Sequence, residues 1–317
     1  MNKNLFTAKR KALISMILCV LFWGFSFVST KIVVIVFPPM SLAMLRFSIA
    51  LIFLYIIKRK LAPSEKLQAR DIPLLFAAGL TGVTLYFFFE NNGISLVSAS
   101  EASIAVSSIP VLMMITEWFA GKISAAGKKR MAHNTGEQER AEPKRLKGRQ
   151  WAGCFLSITG VWLVAGVSFA VSGNILGYIY MTGAAFSWVA YSFFSRSLFS
   201  RCSVIYIVFW QSLAGFLCLI PFSVAEFQNW GKPTPEVIAH LLFLAVFCSA
   251  IGHWFYVIAM ENLSVTVSGI FLNVIPVVTV ITGFFVLGDR LSPLQWLGAA
   301  LVISGVYLAV LRRESRL

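Results

Sequence analysis

The sequence predicts an all-α membrane protein, with ten transmembrane helices arranged as two inverted five-helix repeats. Three observations lead there. Of 317 residues, 58% are hydrophobic and only 13% charged, and the mean hydropathy is +0.80. A soluble domain runs nearer 45–50% apolar and about 25% charged. The second half of the chain echoes the first: GISLVSASEASIAVSSIPVLMMITEWF, Gly93 to Phe119, and AMENLSVTVSGIFLNVIPVVTVITGFF, Ala259 to Phe285, each carry a proline mid-run. An offset of 166 residues lays Pro276 on Pro110, Asn273 on Ser107, Gly269 on Ser103 and Ser264 on Ser98; at 165, Trp188 falls on Trp23, Arg196 on Lys31 and Gln211 on Arg46. The third observation is that lysine and arginine gather in alternate loops. A duplicated membrane unit with proline in corresponding helices is the signature of a transporter whose broken helices meet its cargo.

Apolar stretches fall at about 12–30, 40–57, 72–92, 98–118, 151–170, 174–195, 204–222, 237–258, 266–286 and 293–311, each near the roughly 20 residues that cross a hydrocarbon core. The first follows Lys3, Lys9, Arg10 and Lys11. It has no small-residue cleavage site and carries Trp23, so it reads as a retained helix rather than a signal peptide. With the N-terminus inside, basic residues number 4 before the first helix, 5 in the second-to-third loop, 9 in the fourth-to-fifth, 2 in the sixth-to-seventh and 3 in the tail. Outside stand only Lys31, Lys232 and Arg290, and Arg46 alone lies within a span. The positive-inside rule therefore places both termini in the cytoplasm of a multi-pass plasma-membrane protein. Five spans per repeat, an odd number, force the halves to enter the membrane in opposite senses.

The division that follows is residues 1–122, first repeat through helix 4; 123–150, a basic cytoplasmic linker; 151–173, helix 5; and 174–317, the second repeat. Matching Gln150-Trp151 to Gln295-Trp296 shows the linker to be an insertion, polar and basic, suited to a solvated segment or to anionic lipid headgroups. The net charge of +14 is explained by topology and needs no nucleic-acid partner. The cysteines Cys19, Cys154, Cys202, Cys218 and Cys248 have no paired spacing, so neither a disulfide nor a metal site is expected. With no P-loop in the chain, cofactors are not expected either.

Charge inside a bilayer marks function by default. Arg46 stands several residues into the second helix, Glu90 near the outer end of the third, and Glu101 and Glu117 at the two ends of the fourth. Arg46 with Glu90 or Glu101 would make a buried pair in the outer half, the alternative being a structural ion pair or carboxylates reaching water. Helical spacing sets Gly79, Gly82, Tyr86, Glu90 and Gly93 on one stripe, and Ser103, Ser107, Pro110, Met114 and Glu117 on another. The second copy offers Ser249, Gly252 and Tyr256, then Gly269, Asn273 and Pro276. Small residues there also serve close helix packing. Gln211 and Asn273 are amides that need partners in lipid. Trp23, Trp188 and Tyr191 lie mid-span, where they form either a pocket wall or plain packing. The cavity set is thus Trp23, Arg46, Tyr86, Glu90, Ser107, Trp188, Tyr191, Gln211, Tyr256 and Asn273; the coupling candidates are Glu90, Glu101 and His253, and the helix breaks Pro110 and Pro276.

FWGFSFVSTK in the first helix, Arg46 in the second, YFFFENNGISLVSASEASIAVSSIP and LGDRLSPLQWLGAALVISGVYL together resemble the EamA-type permeases of the drug/metabolite transporter superfamily. The likeness covers the chain apart from the basic insertion. It implies that helices one to four and six to nine line a central cavity, with five and ten peripheral, and that the cargo is an amino acid, another metabolite or a toxic compound. One departure stands out: the acidic residue after the proline-containing helix is Asp289 in the second half, but Ile123 in the first. The expectation is a secondary transporter exporting a small metabolite by alternating access, driven by protons or exchange. The competing readings are a polytopic membrane enzyme, for which no HExxH or paired acidic motif is present, and a non-transporting membrane sensor.

Overall fold

A computed structural model describes residues 3–119, 148–165, 174–287 and 293–310, and among these every regular element is a helix. In chain order they are α1 Lys3–Val33, α2 Pro39–Leu61, α3 Ala69–Leu96, α4 Ala99–Phe119, α5 Gly148–Ala165, α6 Ile175–Arg196, α7 Val204–Asn229, α8 Pro235–Leu263, α9 Val265–Phe285 and α10 Pro293–Val310. Seven are long and apolar enough to cross a membrane: α1 over Ala8–Val33, α2, α3, α4, α7, α8 and α9. Trp296–Ala309 within α10 is a shorter apolar helix. The shortfall in α6 has a cause. It buries Ser187, Trp188, Tyr191, Ser192 and Ser195 along its inward face, so polarity that packing hides lowers its hydropathy. Most of the basic insertion, and Asp289, lie outside the described residues.

Helix starts are satisfied locally or in trans. Pro39 opens α2, and Glu226 at the end of α7 accepts from Met40 N (3.0 Å) and Ser41 N (2.8 Å), covering backbone donors that α2 cannot pair itself. Ser98 and Glu101 form a capping box on α4. Ser264, the matching residue of the second half, caps α9 through Val267 N, at φ 112°. This is a left-handed conformation that a serine adopts only under surrounding constraint.

Irregularities recur in the same places. α3 widens into a π-helical stretch at Leu80–Leu85 and α8 at Leu244–Gly252. α4 tightens into a 3-10 turn at Val106–Ser108, and α9 breaks into a turn at Leu272 and Asn273. The reason is proline. Pro110 and Pro276 have no N–H for the carbonyls four residues back, Val106 and Leu272; these accept instead from Ile109 N and from Ile275 N (2.9 Å).

Glycines bring backbones together where side chains would hold them apart. Gly79 of α3 faces the Gln211 carbonyl and Gly215 N of α7, and Gly24 of α1 lets its carbonyl accept from Thr279 Oγ1 of α9 at 3.0 Å. α5 and α10 pair mainly with each other. Gly153 lies on Gly305 and Gly160 on Gly298, so the two helices run antiparallel. The offset of 145 carries Gly153 onto Gly298 and Gly160 onto Gly305, so each contact maps onto the other. Self-complementary contact of this kind accompanies two-fold relations. An added Cβ at Gly160 would stand 2.6 Å from Gly298 O and Val302 N, whereas at Gly148 it meets nothing within 4 Å. Gly160→Ala is therefore expected to destabilise the protein by about 1–3 kcal/mol and Gly148→Ala not to, as read by thermal melting in detergent.

Candidate functional site

The irregular turns of α4 and α9 face one another across a small interior cavity. Val106 and Ile109 wall it on one side, and their counterparts Leu272 and Ile275 on the other. Pro110 and Pro276 thus act through the turns they impose. The rest of the wall comes from Trp23, Ser26 and Phe27 of α1, Arg46 of α2, Tyr86, Phe87 and Glu90 of α3, Trp188 of α6 and His253 of α8. The space is about 30 Å³, room for one or two waters, so the cavity is nearly closed.

Aromatic rings form its floor. Trp23 and Trp188, the pair matched by the 165-residue offset, meet edge to face at 5.1 Å. Tyr86 lies 4.7 Å from Trp188, and Tyr256 lies 5.2 Å from each tryptophan. Trp23 Nε1 donates to the Cys248 carbonyl (3.1 Å), inside the π-helical stretch of α8, and Trp188 Nε1 to Tyr256 Oη (3.1 Å). The widened helix thus supplies an acceptor to a buried indole that would otherwise lack one.

The polar groups sit against these rings. The Arg46 guanidinium is buried; it donates through Nε to Ser249 Oγ (3.2 Å) and stacks 4.6 Å over the Phe87 ring, and among the described residues its Nη1 has no hydrogen-bond partner. Glu90 accepts from Tyr86 Oη at 2.7 Å. Arg46 and Glu90 face the same cavity, yet among the described residues no salt bridge joins them. His253 packs against Trp23, Phe47, Trp188 and Tyr191. Among the described residues neither of its ring nitrogens makes a well-formed hydrogen bond, although the Cys248 carbonyl lies nearby. A buried cation and an imidazole with unspent hydrogen-bonding capacity beside a void form a site prepared for a polar guest.

Trp23, Arg46, Tyr86, Glu90, Trp188 and His253 therefore meet in one place. Other expected residues stand elsewhere. Tyr191 and Tyr256 form the second row behind Trp188, and Gln211 is engaged there, donating to Tyr191 Oη (3.1 Å) and accepting from Ser195 Oγ (3.1 Å). Asn273 turns away from the cavity and donates to Ser157 of α5 (2.6 Å). Ser107 and Glu101 line a separate groove between α4, α5 and α6, where Glu101 accepts from Tyr178 Oη (2.9 Å), so Glu101 is not the partner of Arg46. Glu117 pairs with Arg196 of α6 (3.0 Å) and accepts from Thr266 of α9. The glycine stripe of α3 is split by the π-helical stretch: Gly79 faces α7, Gly82 and Gly93 face α6, and Tyr86 and Glu90 face the cavity. Phe87 was not singled out, although the 166-residue offset sets it on His253 and would have found it.

The expected lining from helices one to four and six to nine holds for all but α7, and α5 and α10 stand aside. Comparisons with known proteins identify the relatives of this chain. The EamA-like transporter family matches residues 10–127 and 175–311. An uncharacterized transporter of Archaeoglobus fulgidus is 27% identical over 96% of this chain and 100% of its own. A probable amino-acid metabolite efflux pump of Escherichia coli is 26% identical over 95% of each. A probable terminal-alkyne amino-acid exporter of Streptantibioticus cattleyicolor is 25% identical over 94% of this chain and 93% of its own. A solved crystal structure at 19% identity superposes with a TM-score of 0.69, covering 95% of this chain and 97% of that one, which speaks to the fold alone. Within the site, Tyr256→Phe would leave the Trp188 indole N–H buried without an acceptor. It is expected to cost about 1–3 kcal/mol, measured by thermal melting against wild type.

Proposed function

The chain belongs to the EamA-like transporter family, a transporter rather than an enzyme, and on that ground we propose that it exports a small carboxylate-bearing metabolite of amino-acid type. The observation that carries this is Arg46: a buried guanidinium with a spare N–H, aimed at a void walled by helices from both halves of the chain. A carboxylate is the natural guest of such a donor, and the tryptophan and tyrosine rings suit an apolar side chain beside it. Two relatives carry amino-acid export in their names.

The reading extends to the architecture. All ten helices cross the plasma membrane, as two inverted five-helix repeats with both termini cytoplasmic. Repeated π-helical stretches, repeated proline turns and the self-complementary α5–α10 contact support it. Transport is alternating access. α4 is tied to α6 at both ends, through Glu101–Tyr178 and through Glu117–Arg196, and the proline turn between them lets one end part while the other holds. Glu90 is the proton carrier: it faces the cavity, shares a hydrogen bond with Tyr86, and sits where substrate entry changes its solvation. Secondary coupling of this kind uses an existing gradient and no ATP.

Proteoliposomes loaded with candidate amino acids test the reading. Arg46→Gln is expected to lower substrate affinity by tenfold or more, consistent with the loss of about 1.5–3 kcal/mol for a charged hydrogen bond, without loss of folding. Glu90→Gln is expected to abolish flux driven by a pH gradient while sparing substrate exchange. Full gradient-driven transport by Glu90→Gln would remove this carboxylate from the mechanism, and wild-type affinity in Arg46→Gln would remove the carboxylate guest.

A further inference from the structure

On the face that the charge distribution assigns to the cytoplasm, two cavities adjoin. The first, about 280 Å³, lies between the α2–α3 and α6–α7 loops, with Lys66, Gln68 and Arg201 among its walls. The second, about 150 Å³, is an apolar groove running along α3 and α7, walled by Ile72, Phe76, Trp210, Leu213 and Leu217. Their walls are neighbours in the chain and in space. Leu67 of the groove stands between Lys66 and Gln68, Ile72 follows Asp71 of the polar cavity, and Tyr206 of that cavity lies 6.2 Å from Trp210 of the groove, ring to ring.

The charges at this junction are not balanced in their availability. Glu65 is committed to Ser203, accepting from its backbone N–H (2.9 Å) and its hydroxyl. Asp71 is buried beside Arg201 Nη1 (3.3 Å) and accepts from Cys202 Sγ (3.7 Å). Lys66 is exposed, and Lys58 holds its amine 5.9 Å above the Tyr206 and Trp210 rings, over the head of the groove. Glu65 and Asp71 are both engaged within the protein; Arg201 is paired with Asp71 through Nη1, its other N–H groups being uncommitted among the described residues, and Lys66 stands exposed at the rim. A polar chamber rimmed by Lys66 and Arg201 beside an apolar groove on the α3–α7 flank complements the anionic head and acyl chain of a phospholipid.

We propose that this site holds one anionic phospholipid of the inner leaflet. Its phosphate lies against Lys66 and Arg201, and an acyl chain lies along Ile72, Phe76, Leu213 and Leu217. The inference rests on the cytoplasmic orientation given above, but not on the cargo of the central cavity. Bound there, the lipid braces α3 against α7, the pair already joined by Gly79 and Gly215. α3 is the helix that carries Tyr86 and Glu90.

Native mass spectrometry of protein extracted from bilayers of phosphatidylglycerol and phosphatidylcholine tests it. One phosphatidylglycerol should remain on each protein through delipidation. Lys66→Glu, at an exposed position, should weaken its retention about tenfold. Leu217→Trp, which fills the groove and changes no charge, should do likewise, while Arg10→Glu, near the start of α1 and in the wall of neither cavity, should not. Equal retention of phosphatidylcholine, equal loss in Arg10→Glu, or undiminished retention in Leu217→Trp would overturn the site, and so would displacement of the lipid by inorganic phosphate alone. Arg46-dependent transport and lipid retention are separate readouts, so failure of one reading leaves the other standing.

Discussion

A bilayer core offers no hydrogen bonds, so every backbone group released there must be satisfied by the protein itself. Pro110 and Pro276 each release one carbonyl, and the fold answers both in the same way, by tightening one turn so that the residue before each proline donates. The tightened turns are short, narrow and apolar on their inner face, and they form opposing walls of the central cavity. The π-helical stretches in α3 and α8 have the opposite effect: a wider turn leaves a carbonyl less committed to its own helix, and in α8 the Cys248 carbonyl is then available to the Trp23 indole. Helix irregularity, a defect in a soluble core, is here the means by which a cavity exists at all.

Upon that repeated frame the chemistry is not repeated. The first half supplies Arg46 and Glu90; the positions matched to them in the second half are Gln211, whose amide bonds to Tyr191 and Ser195, and Tyr256, which serves as an acceptor for Trp188. The cavity therefore has a charged side and an aromatic, uncharged side. Burying an arginine in a membrane costs about 2.5–3.5 kcal/mol on insertion scales. A charged hydrogen bond, about 1.5–3 kcal/mol, together with a desolvated cation–π contact of about 2 kcal/mol, offsets that cost. Ser249 and Phe87 supply these two contacts, so Arg46 is tolerated without a carboxylate partner. Among the described residues its Nη1 makes no hydrogen bond.

The contacts at the two ends of α4 join it to α6. Glu101 and Glu117 sit at opposite ends, each engaged with α6, and Glu117 also reaches α9 through Thr266. Neither carboxylate belongs to the cavity, although the bare rule that intramembrane acids are functional would place all of them there. Acids within two residues of a helix end reach polar neighbours cheaply; Glu90, buried six residues inside the end of α3, does not. That difference separates Glu90 from the other two.

The all-helical class, the repeat and the identity of the cavity residues Trp23, Arg46, Tyr86, Glu90, Trp188 and His253 could be read from residue order, because lipid solvent makes any polar or charged residue within an apolar run conspicuous, and because duplication matches Trp23 to Trp188 and Pro110 to Pro276. Direction was not legible there. Asn273 and Gln211 are amides in apolar runs no less conspicuous than Arg46, yet Asn273 turns toward Ser157 of α5 and Gln211 is enclosed by α6. A π-helical stretch turns the residues beyond it relative to those before it, so the glycine stripe that periodicity lays on one face of α3 serves three neighbours. Which side of a helix meets which partner is settled by packing between elements far apart in the chain, and a period of 3.6 carries no record of where the helix loosens.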